Sequence, residues 1–127
     1  MQITRQADYA VRAVEFLARQ DPDQRFATIT VAKETKIPHT FLAKIISQLS
    51  IAGLIKTLRG ARGGISLARD PHDISLLDVV QAIDGPILIN EAASDQGYFL
   101  NDESLDHPIW LEVQEAMVKR LRETKFK

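Results

Sequence analysis

Residues 59–64, Arg-Gly-Ala-Arg-Gly-Gly, constrain this chain more than any other stretch. Glycine at that density disfavours both a helix and a packed core, and its arginines cannot be buried without partners. Two short β-prone runs flank it, residues 54–58 and 65–67, so the stretch reads as the tip of a small exposed hairpin. Just before it, Leu42, Ile45, Ile46, Leu49 and Ala52 recur at helical spacing, which predicts a helix with these residues turned inward. His39, Thr40, Ala43, Lys44, Ser47 and Gln48 are left outward, and only Lys44 among them is charged. Pro38 suits the helix start, and Gly53 suits the left-handed position just past its end. A helix followed by a basic hairpin is the order of a winged helix-turn-helix, recognition helix and then wing.

The rest of the chain can be arranged around that unit. Residues 1–20 read as a helix with Ala7, Ala10, Val11, Val14, Leu17 and Ala18 as its buried stripe. Pro22 ends it in a turn over residues 21–25. Thr28 or Thr30 is expected to cap a short helix that ends near Thr35, and residues 36–38 form the turn of the helix-turn-helix. Beyond the wing, Ser75 and Asp78 have the spacing of a capping-box variant ahead of a helix over residues 76–84, closed by Gly85. A loop follows over residues 86–106, long enough to be a candidate effector site. Asp106 is expected to cap a last helix over residues 108–123 with Ile109, Val113, Ala116, Met117 and Leu121 on one stripe. The expected fold is mainly α with a small β-hairpin. A winged helix-turn-helix domain occupies residues 1–70, and a helical dimerisation or sensor region occupies 71–127.

Composition excludes more than it selects. The 127 residues suffice for one domain plus an appended element. With 45% hydrophobic and 26% charged residues the chain belongs with soluble globular proteins. It has no cysteine, which rules out disulfides, thiolate metal sites and cysteine nucleophiles. Arg5, Asp8, Arg12, Glu15 and Arg19 interrupt the N-terminus too often for a signal-peptide core, and no apolar run is long enough to span a bilayer. The expected location is cytoplasmic. His39, His72 and His107 lack the spacing of a zinc site, and the glycine-rich turn lacks the lysine and hydroxyl residue of a P-loop. Nothing in the sequence points to catalytic residues, so no enzyme is expected.

The net charge of −1 hides a segregation. Residues 31–69 hold seven Lys and Arg against the single acid Glu34, whereas residues 70–118 hold eleven Asp and Glu and no Lys or Arg. One surface suited to a polyanion and another kept away from it would produce this pattern. Chance clustering on solvated faces is the alternative, and the helix-plus-wing order weighs against it. The last helix has two possible fates. It can fold back on the first helix, or it can pair with its twin and so present two recognition helices to a two-fold DNA site.

Four blocks carry a family resemblance: ITRQADYAVRAVEFLA from residue 3, IPHTFLAKIISQLSIAGLIKTLRGARGGISLAR from residue 37, ISLLDVVQAID from residue 74 and HPIWLEV from residue 107. In this order, and over essentially the whole chain, they resemble the Rrf-two family of bacterial transcriptional regulators. The resemblance implies a homodimeric winged-helix transcription factor, usually a repressor, bound to double-stranded DNA. It places His39, Thr40, Phe41, Lys44 and Ser47 at or near the major groove, to which the outward row adds Gln48, and it places Arg59 and Arg62 in a wing that reaches the minor groove. It implies that the long terminal helix crosses the dimer interface, for which the apolar stripe offers Ile109, Val113, Met117 and Leu121.

The sequence departs from the pattern at one place. The cysteines of cluster-binding members fall on Ala92, Tyr98 and Ser104, while His107, Trp110 and Asp8 match other positions of that pattern. Without thiolates the remaining ligands are too few for iron–sulfur chemistry, so no cofactor and no metal are expected. The rival reading is a winged-helix protein-interaction module that does not touch DNA. Low charge on the recognition helix favours it, and the arginines of the wing oppose it.

Overall fold

The computed structural model describes residues 2–89 and 109–127. The expectations for loop residues 90–106, for the Asp106 cap and for the helix start at Pro108 therefore lie outside the described residues, as do Ala92, Tyr98, Ser104 and His107.

The first helix, α1 (Arg5–Ala18), is shorter than the expected 1–20. Thr4 sets its start: the residue is extended, and its side chain accepts a hydrogen bond from the Ala7 amide. Of the expected stripe, Val11 is only half-buried and lies between the two core clusters. Helix α2 (Thr28–Thr35) follows, but neither Thr28 nor Thr30 caps it. Ala27 holds the N-cap position without a side-chain bond, because Phe26 just before it is fixed by a β-bridge to Ile65. Lys36 closes α2 in the left-handed conformation with φ 58°, and the Ile37 amide reaches back to the Ala32 carbonyl at 3.0 Å.

Helix α3 (His39–Ile51) has Pro38 as N-cap and buries Leu42, Ile45, Ile46 and Leu49. Each such side chain contributes about 1.5–3 kcal/mol relative to exposure. Ala52, expected inward, is exposed, because it is the C-cap residue and the chain leaves the helix there through Gly53 at φ 77°. Strands β1 (Ile55–Leu58) and β2 (Gly64–Leu67) pair antiparallel, with Ile55 opposite Leu67 and Leu58 opposite Gly64. Phe26 adds a third lane beside β2, exchanging both backbone bonds with Ile65 at 3.1 and 2.7 Å.

After a short 3-10 turn (Pro71–Asp73), α4 (Leu76–Asp84) starts with the expected capping box between Ser75 and Asp78. Ile74 and Val79 enter the core formed by α1, α3 and the hairpin, and α4 lies against both α1 and α3. Asp84 then receives the Thr4 hydroxyl at 2.5 Å and the Thr4 amide at 3.3 Å, which ties the start of α1 to the end of α4. Helix α5 (Ile109–Glu123) returns across α4, where Leu77, Val80 and Ile87 make a second small core with Met117, Val118 and Leu121. Among the described residues no helix is long and apolar enough to cross a membrane.

Candidate nucleic-acid interface

The outward face of α3 follows from its burial pattern. Leu42, Ile45, Ile46 and Leu49 are held in the core, so His39, Thr40, Ala43, Lys44 and Ser47 are left exposed, and Gln48 is half-buried. Thr40, Lys44 and Gln48 lie one turn apart in a row along the helix. Phe41 leaves that row. Its ring lies 6.3 Å from the ring of Tyr9 on α1, and the Arg12 guanidinium sits 5.1 Å above the same Tyr9 ring. Phe41 thus braces α3 on α1 with 45% of its surface exposed. This bracing was not legible from the spacing of apolar residues, because Tyr9 is off the main stripe of α1. At the other end of α3, Ile51 is 86% exposed, which no sequence pattern had singled out.

The wing owes its shape to glycine at particular positions. Gly60 has φ 105° and Gly64 φ 139°, both in the region that favours glycine. A Cβ on Gly64 would stand 2.6 Å from the Phe26 carbonyl oxygen, and one on Gly63 would collide with the Leu58 carbonyl. The Gly63 amide donates to the Gly60 carbonyl at 2.9 Å, closing the loop between the strands. Arg59 and Arg62 stand exposed on that loop. Glycine content alone places one turn through residue 64, whereas Gly64 is already the first residue of β2.

Three arginines of the protein body are paired. Arg12 is bonded to Asp8 at 2.8 Å, Arg19 lies 3.9 Å from Glu15, and Arg69 lies 3.8 Å from Asp78. Among the described residues, no ion pair or side-chain hydrogen bond engages Lys44, Arg59 or Arg62. All three are exposed, Lys44 on α3 and the two arginines on the wing loop. The N-terminal amides of α2 and α3 have no side-chain cap either, so both helix starts keep donors free for an anion. Farther from this face, the Asp70 carboxyl is held below the usual carboxylate pKa, first by the His72 amide and then by the His72 ring nitrogen at 2.8 Å.

A helix-turn-helix with an exposed polar helix face and an exposed, glycine-shaped basic wing is the apparatus of a DNA-binding winged helix. The family model described as "Rrf2: Iron-dependent Transcriptional regulator" matches residues 3–127. The chain belongs to the Rrf2 family. Among its relatives, the HTH-type transcriptional regulator CymR of Bacillus subtilis is 26% identical over 124 residues, covering 98% of this chain and 86% of CymR. The CymR structure, that of the "Global Cysteine Regulator" of that organism, superposes with TM-score 0.82 at 25% identity over 99% of this chain and 93% of CymR. The IscR of T. potens superposes with TM-score 0.78 at 25% identity, covering 99% of this chain and 83% of IscR. The HTH-type regulator NsrR of Bacillus subtilis is 36% identical over 81 residues, 64% of this chain and 56% of NsrR. As an Rrf2 protein the chain is a DNA-binding transcriptional regulator rather than an enzyme.

The iron in the Rrf2 description can be tested against the donors present. The chain has no cysteine to supply a thiolate. Asp8 is committed to Arg12, accepting from Nε at 3.2 Å and from Nη2 at 2.8 Å. Among the described residues no group of three or more His, Asp or Glu is placed to hold a metal ion. This donor set does not fit an iron–sulfur cluster.

Proposed function

We propose that this Rrf2 protein is a repressor that binds a two-fold DNA operator as a homodimer and works without an iron–sulfur cluster. The observation that carries the DNA part is that Lys44 on α3 and Arg59 and Arg62 on the glycine-shaped wing loop all stand exposed, with no ion pair among the described residues. In this reading Thr40, Lys44, Ser47 and Gln48 enter the major groove with His39 at its edge, while Phe41 holds the helix at its angle. Arg59 and Arg62 enter the narrow minor groove, where arginine reads width and negative potential more than base identity. The free amides at the starts of α2 and α3 take phosphates on either side. Repression follows if the occupied operator overlaps a promoter.

The dimer part draws support from α5. Met117 and Leu121 turn toward α4 of their own chain, but Ile109, Trp110 and Val113 are 62%, 51% and 46% exposed. An apolar group of that size at one end of a helix is suited to cover by a second copy. A single winged helix reads too few base pairs to be specific, which argues in the same direction. The division expected at residue 70 then serves as a functional boundary, with reading before it and pairing after it. The loop at 86–106 remains the candidate effector segment on the sequence alone.

In vitro selection from random duplexes by the purified protein tests this reading. An enriched inverted repeat, bound tightly at moderate salt by a dimer, supports it. Failure to enrich any sequence would leave the protein-interaction reading of the same fold.

A further inference from the structure

A cleft of about 480 Å³ opens between the α1–α2 turn, the base of the wing and the last residue of the chain. The buried Leu17 and Ala18 and the half-buried Leu67 give it apolar surface. Its charged residues are divided by element. The α1–α2 turn brings Asp21 and Asp23, while β1 and the C-terminal segment bring Lys56 and Lys127. Other groups on the rim are already engaged: Asp70 by His72, Arg69 by the Asp73 carbonyl and Asp78, and one carboxylate oxygen of Asp21 by the Asp23 amide at 2.9 Å, which leaves its second oxygen and the Asp23 carboxylate for a ligand.

Ser66 also lines this cleft and is only 4% exposed. Among the described residues its hydroxyl has no hydrogen-bond partner. Every fully enclosed side-chain polar atom described is partnered, so the Ser66 hydroxyl keeps its small exposure through the cleft. Ser66 stands directly opposite Lys56 in the β1–β2 register, which puts both side chains on one face of the hairpin. A nearly buried hydroxyl without a partner costs stability unless something polar meets it. A carboxylate beside Lys56 would satisfy both groups, and an ammonium group would match Asp21 and Asp23 on the facing turn.

We propose that this cleft binds a zwitterionic small molecule of the α-amino-acid class, with its carboxylate toward Ser66 and Lys56 and its ammonium toward Asp21 and Asp23, and that the wing responds to its occupancy. The response rests on the DNA-binding role of the wing argued above; the binding site does not. Lys56 lies on β1, the strand that leads into the wing loop and its Arg59, so a ligand joining β1 to the α1–α2 turn restricts how the wing approaches DNA. By linkage, ligand and DNA then alter each other's affinity by one common factor.

The test is a titration of the isotope-labelled full chain, without DNA, by each proteinogenic L-amino acid to about 10 mM, a range that captures weak sites. At least one amino acid gives saturable amide shifts at Lys56, Ser66 and residues 20–24. Lys56→Met and Asp23→Asn, both at exposed positions, each weaken that binding by about tenfold or more. Acetate and methylamine, each carrying one of the two charges, bind at least about tenfold more weakly than the amino acid. Absence of shifts with every amino acid, variants that bind like wild type, or acetate that binds equally well would each overturn the site. At saturation the ligand changes DNA affinity by about fivefold or more. Ligand binding with unchanged DNA affinity overturns the wing response, whereas ligand binding by a protein that binds no DNA refutes the DNA reading and leaves the site standing.

Discussion

The Leu76 amide donates to the Thr124 carbonyl at 2.8 Å, fastening the end of α5 beside the start of α4. The Phe126 amide reinforces this by donating to the Ile74 carbonyl at 3.3 Å. The C-terminal half of α5 is therefore part of the body of the protomer, while Ile109, Trp110 and Val113 at the other end are exposed. This separates two kinds of substitution on one helix. Val113→Glu is expected to leave the protomer folded and break the dimer, because its charge would be desolvated only on pairing. Leu121→Glu is expected to destabilise the protomer itself by about 2–4 kcal/mol, since it enters the packing against α4. Sedimentation and thermal unfolding of both variants check the split. A wild-type monomer at tens of micromolar, roughly where a working dimer should persist, would count against the dimer.

The wing gives a second test. A Cβ at Gly63 would meet backbone, the Leu58 carbonyl, and cannot be relieved by a side-chain rotation. Gly63→Ala is expected to distort the hairpin tip and reduce DNA affinity about tenfold or more, with a smaller effect on the core, which the tip does not enter. Fluorescence anisotropy with the selected operator, set beside thermal melting, measures both. Undiminished affinity would mean that the shape of the wing does not matter for binding.

Lys36 supplies a third. It is the one non-glycine residue at positive φ among those described, at 58°. Lys36→Gly is expected to stabilise the fold by about 0.5–1 kcal/mol, because glycine adopts this conformation without the Cβ penalty. A fall in the melting temperature would show that the lysine side chain contributes more than its backbone conformation costs.

Metal content is the fourth. Protein purified without oxygen should be colourless and should bind its operator without reconstitution, since the chain has no cysteine. A visible absorption band accompanied by stoichiometric iron and sulfide would contradict the cluster-free reading.

Much of this architecture was legible in the sequence because it rests on local rules. Helical spacing gave the buried face of α3, Ser75 and Asp78 gave the capping box of α4, and the glycines gave the hairpin. What escaped depends on contacts between distant segments. The bridge from Phe26 to Ile65 decided where α2 begins, so the threonines expected to cap it do not. Spacing alone makes the stripe on α5 one surface, but α4 covers only its C-terminal part. The site divides in the same way. The outward row of α3 and the arginines of the wing followed from periodicity and turn chemistry, whereas the bracing of Phe41 by Tyr9 and the cleft beside Ser66 exist only once the chain has folded.

In the proposed complex helix and wing divide the labour of recognition, and operator affinity across base substitutions and salt concentrations for wild type, Arg59→Ala and Gln48→Ala measures that division. Arg59→Ala is predicted to weaken binding to all sequences by about 1–3 kcal/mol and to lower the salt slope by about one unit, leaving the rank order of sites intact. Gln48→Ala is predicted to change which bases are preferred at particular positions of each half-site, with little effect on the salt slope. Arg59→Ala binding with wild-type affinity and wild-type salt slope would remove the wing from recognition and leave it to the helix alone.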